Sequence, residues 1–592
     1  MLRQPWAVAA AVLVLAVYAA VLSIMPKGGF WSPDEGAKFI QLHSIGWQGG
    51  LRYAIPYGGL RLDPEYAFYP TRCRFEDLYP VPLADGGVKF HWPIWFPLGS
   101  GLLESAFGLS GLYVVPLLSG WLVALLAGHL VRAWDERLAP LAILAVGLAT
   151  PVAFFSLTFW EHTLTAFLGL AALAIVAAGR TLRRAAVWLV VPLLLAAAAL
   201  RIEMLLFGAA VVCAWFAAGR LATDDAVAVA SSGDTAARPV RTPLIALGLA
   251  VAVAVALLFT EAIPERHRWI LASLPTFLTG AIAKLPHLAE TLTAVLVDSA
   301  GNQAPVIPHL WRYGVLTACW GVALASLLRS WRREAIVLLA ALAVILEFSV
   351  YLIVRPQAYV SLHGFLPIAP VIVLAPYVVA PVWRQRRHVQ VALVVAAAAY
   401  AVLAFTAVLV FVVHSDGVMP TGLEWGNRYL FALYPVGTIL ALGALHEYRR
   451  STRPPLLKRA VTLAAAGLLA CGLLLQVRGV WTLVETRRLV TAWQSALRDE
   501  PPVMTNVWWL PAAMAPLFIS HEMHCVRRVR DLGAWLPVAL EHGVDTFTFA
   551  SFRALDTDRI PHAGFAVESA GERVVSGLHL TRVRIAPAPA AP

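Results

Sequence analysis

The sequence predicts a polytopic α-helical membrane protein of about thirteen transmembrane helices, followed by a small C-terminal α/β extracytoplasmic domain. Three observations predict it. Of the 592 residues, 59% are hydrophobic and only 14% charged, with a mean hydropathy of +0.72; a soluble protein of this size needs far more charge to cover its surface. The apolar residues fall into repeated runs of roughly 17–25 residues, the length that crosses a hydrocarbon core. From about residue 479 the pattern changes to short strand-like runs alternating with helical ones.

The apolar runs lie near 6–25, 109–131, 138–159, 163–179, 185–200, 202–219, 244–263, 314–328, 335–354, 365–383, 389–413, 429–445 and 460–477. The first is too long for the apolar stretch of a signal peptide, and no small-x-small cleavage site follows it. Phe30 and Trp31 read as interfacial anchors, so a retained helix is expected. Arginines mark alternate connections: Arg132/Arg137, Arg180/Arg183/Arg184, Arg220/Arg238/Arg241, Arg329/Arg332/Arg333, Arg384/Arg386/Arg387 and Arg449/Arg450/Arg453. By the positive-inside rule these are cytoplasmic, which puts the N-terminus inside and the C-terminal segment outside a bacterial cytoplasmic membrane. The formal charge of +11 is spent on this orientation and does not mark a nucleic-acid surface.

Residues 185–219 are apolar except for Arg201 and Glu203. One long helix would put the basic flanks Arg184 and Arg220 on opposite sides, so a tight hairpin is expected, with Arg201-Ile202-Glu203 at its outer tip. Pro275, Lys284, Pro286 and His287 interrupt the stretch 268–300, which reads as interfacial helices or a re-entrant hairpin in an outer loop. The polar 221–241 connection reads as a disordered cytoplasmic loop. The membrane domain then covers 1–477, including a first outer loop at 26–108, and the extracytoplasmic domain covers 478–592. The long or polar outer segments 26–108, 264–313, 355–364 and 414–428 contrast with short basic inner loops, which places the chemistry on the outer face.

In the C-terminal piece, 502–509 reads as a buried strand and 510–520 as a helix. Residues 523–529 read as a second strand and 531–542 as a second helix, with Gly543 as its C-cap. Residues 546–550 read as a third strand, and 564–586 hold two more. Alternating strand and helix argues a small α/β layer. It has no glycine-rich phosphate loop and no nucleophile elbow, so it reads as a docking or acceptor-recognition module. Of the five cysteines, Cys213, Cys319 and Cys471 lie in apolar runs, and no metal-type spacing exists. Cys73 and Cys525 fall in outer segments, where a disulfide can form.

The candidate chemistry begins just outside the first span, in Trp31-Ser32-Pro33-Asp34-Glu35-Gly36. At the water boundary a carboxylate can stay ionised and still face a lipid-borne substrate. Ser32-Pro33-Asp34-Glu35 is also a good helix start, with Pro at the first position and acids in the first turn; capping and catalysis are compatible, because a helix N-terminus holds a carboxylate still. Arg201, Arg355 and Arg428, with Lys89 and His91, are outer-face cations fit for a phosphate, which arginine grips in a bidentate fork. For Arg201 the partner is Glu203 or a donor phosphate, against the simpler role of snorkelling to water. Gly426 permits close approach to Arg428, and Tyr429 is an amphipathic neighbour. Trp160-Glu161-His162 joins two spans in almost no loop, where Glu161 and His162 either help bind the substrate, Glu161 with the further option of assisting the base, or are interfacial polar residues beside an anchoring Trp. A divalent metal is left open: His363, His414 and Asp416 lie in other outer loops without the i, i+4 pairing of a metal site.

The acidic pair early in the first outer loop, followed by Gly36-Ala37-Lys38-Phe39-Ile40-Gln41, resembles the glycosyltransferase-C superfamily. More narrowly it is similar to the protein mannosyltransferase and lipid A aminoarabinose transferase group. Lys89-Phe90-His91-Trp92-Pro93-Ile94-Trp95-Phe96-Pro97-Leu98 resembles that group's Pro- and aromatic-rich segment, although His91-Trp92-Pro93 departs from the usual Lys-Pro-Pro. Trp425-Gly426-Asn427-Arg428-Tyr429-Leu430 resembles an outer-loop Gly-x-Arg-Tyr motif of related bacterial membrane proteins. The resemblance implies a polyprenyl-phosphate-linked sugar donor, an outward-facing site, inversion at the anomeric carbon, and Asp34 as general base beside Glu35. The acceptor is a lipid, a glycan or a protein. A ligase or polymerase of lipid-linked oligosaccharides is the alternative within enzymes. A transporter is the non-enzymatic one, disfavoured because no repeat relates the halves and the polar residues collect at the outer rim rather than mid-span.

Overall fold

The computed structural model describes residues 4–47, 51–53, 55–70, 81–82, 88–89, 93–179, 188–221, 365–414, 426–560 and 565–587. The expected spans near 244–263, 314–328 and 335–354, the interfacial stretch 268–300 and the polar connection at 222–241 lie outside them. The chain divides into two compact units, Met1–Ser23 with Val115–Trp481 and Ile24–Val114 with Thr482–Pro592.

The helices are α1 (Pro5–Ile24), α2 (Pro33–His43), α3 (Trp95–Phe107), α4 (Val114–Leu130), α5 (Ala139–Leu148), the single turn α6 (Val152–Phe155), α7 (His162–Ala177), α8 (Val190–Leu200), α9 (Met204–Leu221), α10 (His388–His414), α11 (Leu433–Arg450) and α12 (Pro455–Leu497). Among the described residues, four stretches are long and apolar enough to cross a membrane: Pro5–Ile24, Trp95–Ala133, Met204–Leu221 and Pro455–Leu497. His162–Ala177, Val190–Leu200 and His388–Ala404 are shorter apolar helices. The chain is a helical membrane protein.

In the first unit, polar side chains of the helices turn to main-chain oxygens of their neighbours, as hydrocarbon surroundings require. Tyr18 Oη donates to Gly147 O, Trp121 Nε1 to Ala11 O at 2.9 Å, and Gln476 Nε2 to Ile368 O at 3.1 Å. The hairpin expected at Arg201-Ile202-Glu203 is present: α8 ends at Leu200, Arg201 is extended (φ −148°, ψ 120°), and α9 starts at Met204. The span expected at 138–159 is instead broken after Leu148. Pro151 has no N–H to donate, and Thr150 Oγ1 donates back to Val146 O at 2.7 Å while accepting from Val152 N at 3.3 Å. The span expected at 365–383 is likewise irregular. A single turn at Phe365–Ile368 leads into the 3₁₀ segment Pro370–Val378, because Pro367, Pro370 and Pro376 remove three donors.

The second unit holds a five-stranded sheet. After two short antiparallel ribbons, β1 (Ile45–Trp47) with β2 (Leu51–Tyr53) and β3 (Val81–Pro82) with β4 (Val88–Lys89), come β5 (Val503–Thr505), β6 (Met523–Cys525), β7 (Thr546–Ser551), β8 (Phe565–Val575) and β9 (Leu578–Pro587). Their order is β6-β5-β7-β9-β8; the first three are parallel, and β9 runs antiparallel to β7 and β8. The expected helix 510–520 is two pieces, α13 (Leu510–Ala513) and α14 (Ala515–Ser520), split at Met514 ahead of Pro516. Helix α15 (Leu532–Glu541) lays Leu532, Trp535, Leu536 and Ala539 on Phe547, Phe549, Val583 and Ile585.

The first loop belongs to this unit. Leu62 joins the same core, and Cys525 N donates to Phe68 O at 2.9 Å. Arg61 grips Glu522 with Nε at 2.6 Å and Nη2 at 3.0 Å. Asp63, buried, accepts from Ala67 N, Phe68 N and Tyr57 Oη. That last bond uses the tyrosine proton, so His524 Nδ1, 2.7 Å from Tyr57 Oη, carries the hydrogen of the second contact. His524 Nε2 is then the bare nitrogen, buried and without a hydrogen bond among the described residues. Burial pushes the imidazole down to about 4, against the opposing pull of Glu522. Because the folded state resists the proton that an unfolded histidine takes near pH 6.5, stability falls as pH drops. The expected loss is about 1.4 kcal/mol per pH unit between 6.5 and 4. Thermal unfolding of the purified protein across this range should show that slope, and His524→Asn, which keeps a donor near the Nδ1 position and takes no proton, should flatten it.

Candidate functional site

The acidic pair opens α2. Ser32 is its N-cap, extended at φ −134° and ψ 157°, and its Oγ accepts from Glu35 N at 3.3 Å; Pro33 follows at the first helical position. Glu35 turns inward and is fully buried. Its Oε2 accepts from Trp31 N at 2.6 Å, and its Oε1 accepts from Arg487 Nη2 at 3.2 Å. Both side chains of that ion pair have zero exposure. The Arg487 guanidinium, on α12, lies 4.5 Å from the centroid of the Tyr113 ring. Asp34, next door, is half-buried, and Lys38, one turn along at the i+4 position from Asp34, is buried.

Backbone contact is as tight here as side-chain contact. A Cβ on Gly36 would fall 1.6 Å from Ala512 O on α13, so only glycine lets α2 approach. Phe30 N donates to Ala513 O at 3.0 Å, one residue before the pair's own loop. The N-terminus of α2 is thereby clamped from two sides, by Arg487 and by α13.

The second group of expected residues lies in the first unit. Arg201 sits at the α8–α9 hairpin and is held by Glu203 and by Glu161, the latter at 3.1 Å. Its Nη1 is also 3.0 Å from His162 Nε2. A guanidinium only donates, so that nitrogen of His162 is the acceptor and the ring is neutral with its proton on Nδ1. The ring stacks on Phe155 at 4.6 Å. The expected pairing of Arg201 with Glu203 is present, and Glu161 adds a second carboxylate. Arg428 follows Gly426, whose φ of +79° suits glycine and where a Cβ would meet Tyr434 Oη at 2.7 Å. Asn427 caps the turn, its Oδ1 accepting from Tyr429 N and Leu430 N at 3.1 Å each. The Arg428 guanidinium stands 5.9 Å from the Trp160 ring and 5.3 Å from the Tyr429 ring. His162, Arg201, Glu203, Tyr400, Arg428 and Phe431 line a cavity of about 220 Å³, counting its open mouth. Its lining holds two arginines and one glutamate, and Glu161, paired with Arg201, supplies the second carboxylate of the cluster.

The structure thus groups Asp34 with Glu35, and separately Glu161, His162, Arg201, Arg428 and Tyr429. Lys89 is described only as backbone of β4, and His91, Arg355, His363, Asp416 and Cys73 lie outside the described residues. No cluster of three metal-ligating side chains occurs among the described residues. Arg487 and Tyr113 were missed in the sequence. Arg487 stands 452 positions from its partner in a basic stretch, Arg487-Arg488, that reads as a solvated helix face. Lys38 carried a signal, a lysine inside an otherwise apolar helix face one turn from Asp34.

A many-helix membrane protein with an acidic helix start after its first span and an arginine-lined cavity is the class this geometry defines. No family model matches the chain, and no curated protein matches it. Among solved structures it is similar to ArnT from Cupriavidus metallidurans bound to undecaprenyl phosphate, with 14% identity, 97% of each chain covered and a TM-score of 0.36. It is also similar to the Archaeoglobus fulgidus oligosaccharyltransferase AglB in complex with an inhibitory peptide and a dolichol-phosphate, with 11% identity, 92% of this chain and 69% of that one covered, and a TM-score of 0.41. A second structure of that oligosaccharyltransferase, tethered to an acceptor peptide, matches at 10% identity over 92% of this chain and 69% of that one, with a TM-score of 0.43. At such identities and TM-scores these structures carry no argument about the site, which rests on its residues.

The buried pair has a measurable signature. Arg487→Met strands the Glu35 carboxylate without its guanidinium and should destabilise the protein by about 3–5 kcal/mol. Adding Glu35→Gln should recover part of that loss, and thermal melts of the two single variants and the double variant measure the coupling.

Proposed function

We propose that the protein is a membrane glycosyltransferase that moves a sugar from a polyprenyl-phosphate donor to a hydroxyl or amine of its acceptor. The reaction takes place on the outer face of the cytoplasmic membrane, with the N-terminus inside and the segment after residue 478 outside. The observation that supports this best is the division of labour at the start of α2. Glu35 is buried and tied to Arg487 and to Trp31 N, so it positions the helix. Asp34, half-buried beside it in the first turn of α2, is assigned to the acceptor.

In the proposed step the acceptor oxygen or nitrogen attacks the anomeric carbon from the face opposite the phosphate. Asp34 takes the acceptor's proton, the C1–O bond to phosphate breaks, and polyprenyl phosphate leaves with that bond's electron pair. One displacement inverts the anomeric centre. Arg428, against Trp160 and Tyr429, is assigned to the donor phosphate. Arg201, held by Glu161 and Glu203, keeps His162 neutral and in place as a donor to the sugar or phosphate through Nδ1. Lys89, His91 and Arg355 remain further cations of the same assignment.

Purified protein supplied with radiolabelled polyprenyl-phosphate sugars tests this. Asp34→Asn should lower turnover by about 10²–10⁴-fold, the range of a positioned general base, with donor binding retained. If no such donor is bound or consumed by the wild type, the proposal fails. Arg428→Ala should weaken donor binding by about 1.5–3 kcal/mol, the scale of a hydrogen bond to a charged group; unchanged donor affinity would remove Arg428 from the phosphate.

A further inference from the structure

The carboxyl ends of β6, β5 and β7 carry chemistry that the transfer step leaves unused. Thr505 is level with Cys525 on one side and Ala550 on the other. The chain leaving β5 turns toward β6, whereas the chain leaving β7 turns toward β8 and β9. Connections that depart in opposite directions open a crevice at the strand ends, the place where open α/β sheets bind ligands.

An aromatic shelf stands in this crevice. Trp509, after β5, stacks with Phe552, after β7, at 5.7 Å and 26°. Trp493 meets Phe552 edge-on at 5.7 Å and 69°, and its Nε1 donates to Val575 O at 3.0 Å, which fixes its plane. Phe552 is 41% exposed. Along the same edge Arg527 and Arg528 follow β6, and Arg553 follows Phe552; all three are exposed. None has a carboxylate partner among the described residues, while Arg559, Arg573 and Arg582 of the same unit do. With strands about 4.8 Å apart, shelf and cations spread over roughly 10 Å, the span of one or two sugar rings.

We propose that this edge binds an anionic saccharide, a sugar bearing a phosphate or a carboxylate. The shelf takes the apolar face of a pyranose, and the guanidinium groups take the anionic substituent. A lipid headgroup would answer the charge alone. The sugar is favoured by Asn506, half-buried at the end of β5, whose Oδ1 lacks a hydrogen bond among the described residues. A saccharide hydroxyl can donate to it, whereas an ionised phosphodiester only accepts. Trp509 leads directly into α13, which packs on α2, so the shelf is joined to the helix that carries Asp34. As the acceptor's subsite this edge rests on the transferase reading; as a binding site it stands without it.

Binding to the purified full-length protein is measured by tryptophan fluorescence and calorimetry. The probes are maltose 1-phosphate, maltose, inorganic phosphate, and phosphatidylglycerol or phosphatidylcholine vesicles. Maltose 1-phosphate should bind at least about tenfold more tightly than either maltose or phosphate. Phe552→Ala, and separately the pair Arg527→Ala with Arg553→Ala, should each weaken it by about tenfold or more with the melting temperature held. The arginine variants lie on exposed side chains and keep the test valid should the aromatic change unfold the protein. Absence of maltose 1-phosphate binding, binding indifferent to these variants, phosphate binding as tight as the sugar phosphate, or a preference for phosphatidylglycerol vesicles would each overturn the proposal. Donor turnover assayed in parallel separates its failure from failure of the transferase reading.

Discussion

The buried bond between Glu35 and Arg487 is the constraint on which the second unit turns. Taking both charges out of water is costly, and the cost is offset only while the two stay together. Trp31 N adds a second donor to the carboxylate, and the Tyr113 ring covers the guanidinium. The first turn of α2 therefore has one place to be. Asp34 inherits that place through one peptide link, which holds a half-buried carboxylate steady at the start of the helix.

The arginine-lined cavity of the first unit follows another logic. There the charges cancel within the cluster. Arg201 spends its donors on Glu161, Glu203 and His162, whereas Arg428 is placed against the faces of Trp160 and Tyr429. A guanidinium set on aromatic rings keeps in-plane N–H groups directed at its rim, which is the geometry that phosphate oxygens need. Both arginines line the same cavity.

Much of this was legible in the chain. The hairpin at Arg201-Ile202-Glu203 could be read because both flanks are basic and the apolar run is too long for one crossing. The strand and helix order after residue 502 could be read from its alternation. Pro151 was a visible breaker inside the 138–159 run, and the apolar count outweighed it; local proline chemistry won. The Glu35–Arg487 bond was not legible, since no periodicity links positions 452 apart. Nor was the packing of the first loop with the C-terminal segment. It depends on Asp63, Tyr57 and His524, three polar residues whose value appears only when they meet in one buried chain of hydrogen bonds.

Strand β8 carries one more consequence. It ends the sheet, and eleven residues of open edge are a template for pairing with another molecule. Its register slips between Ser569 and Gly571, and Glu568, Glu572 and Arg573 punctuate it. A kinked, charged border is a poor template for its copy, which disfavours sheet-to-sheet pairing between proteins crowded side by side in one bilayer.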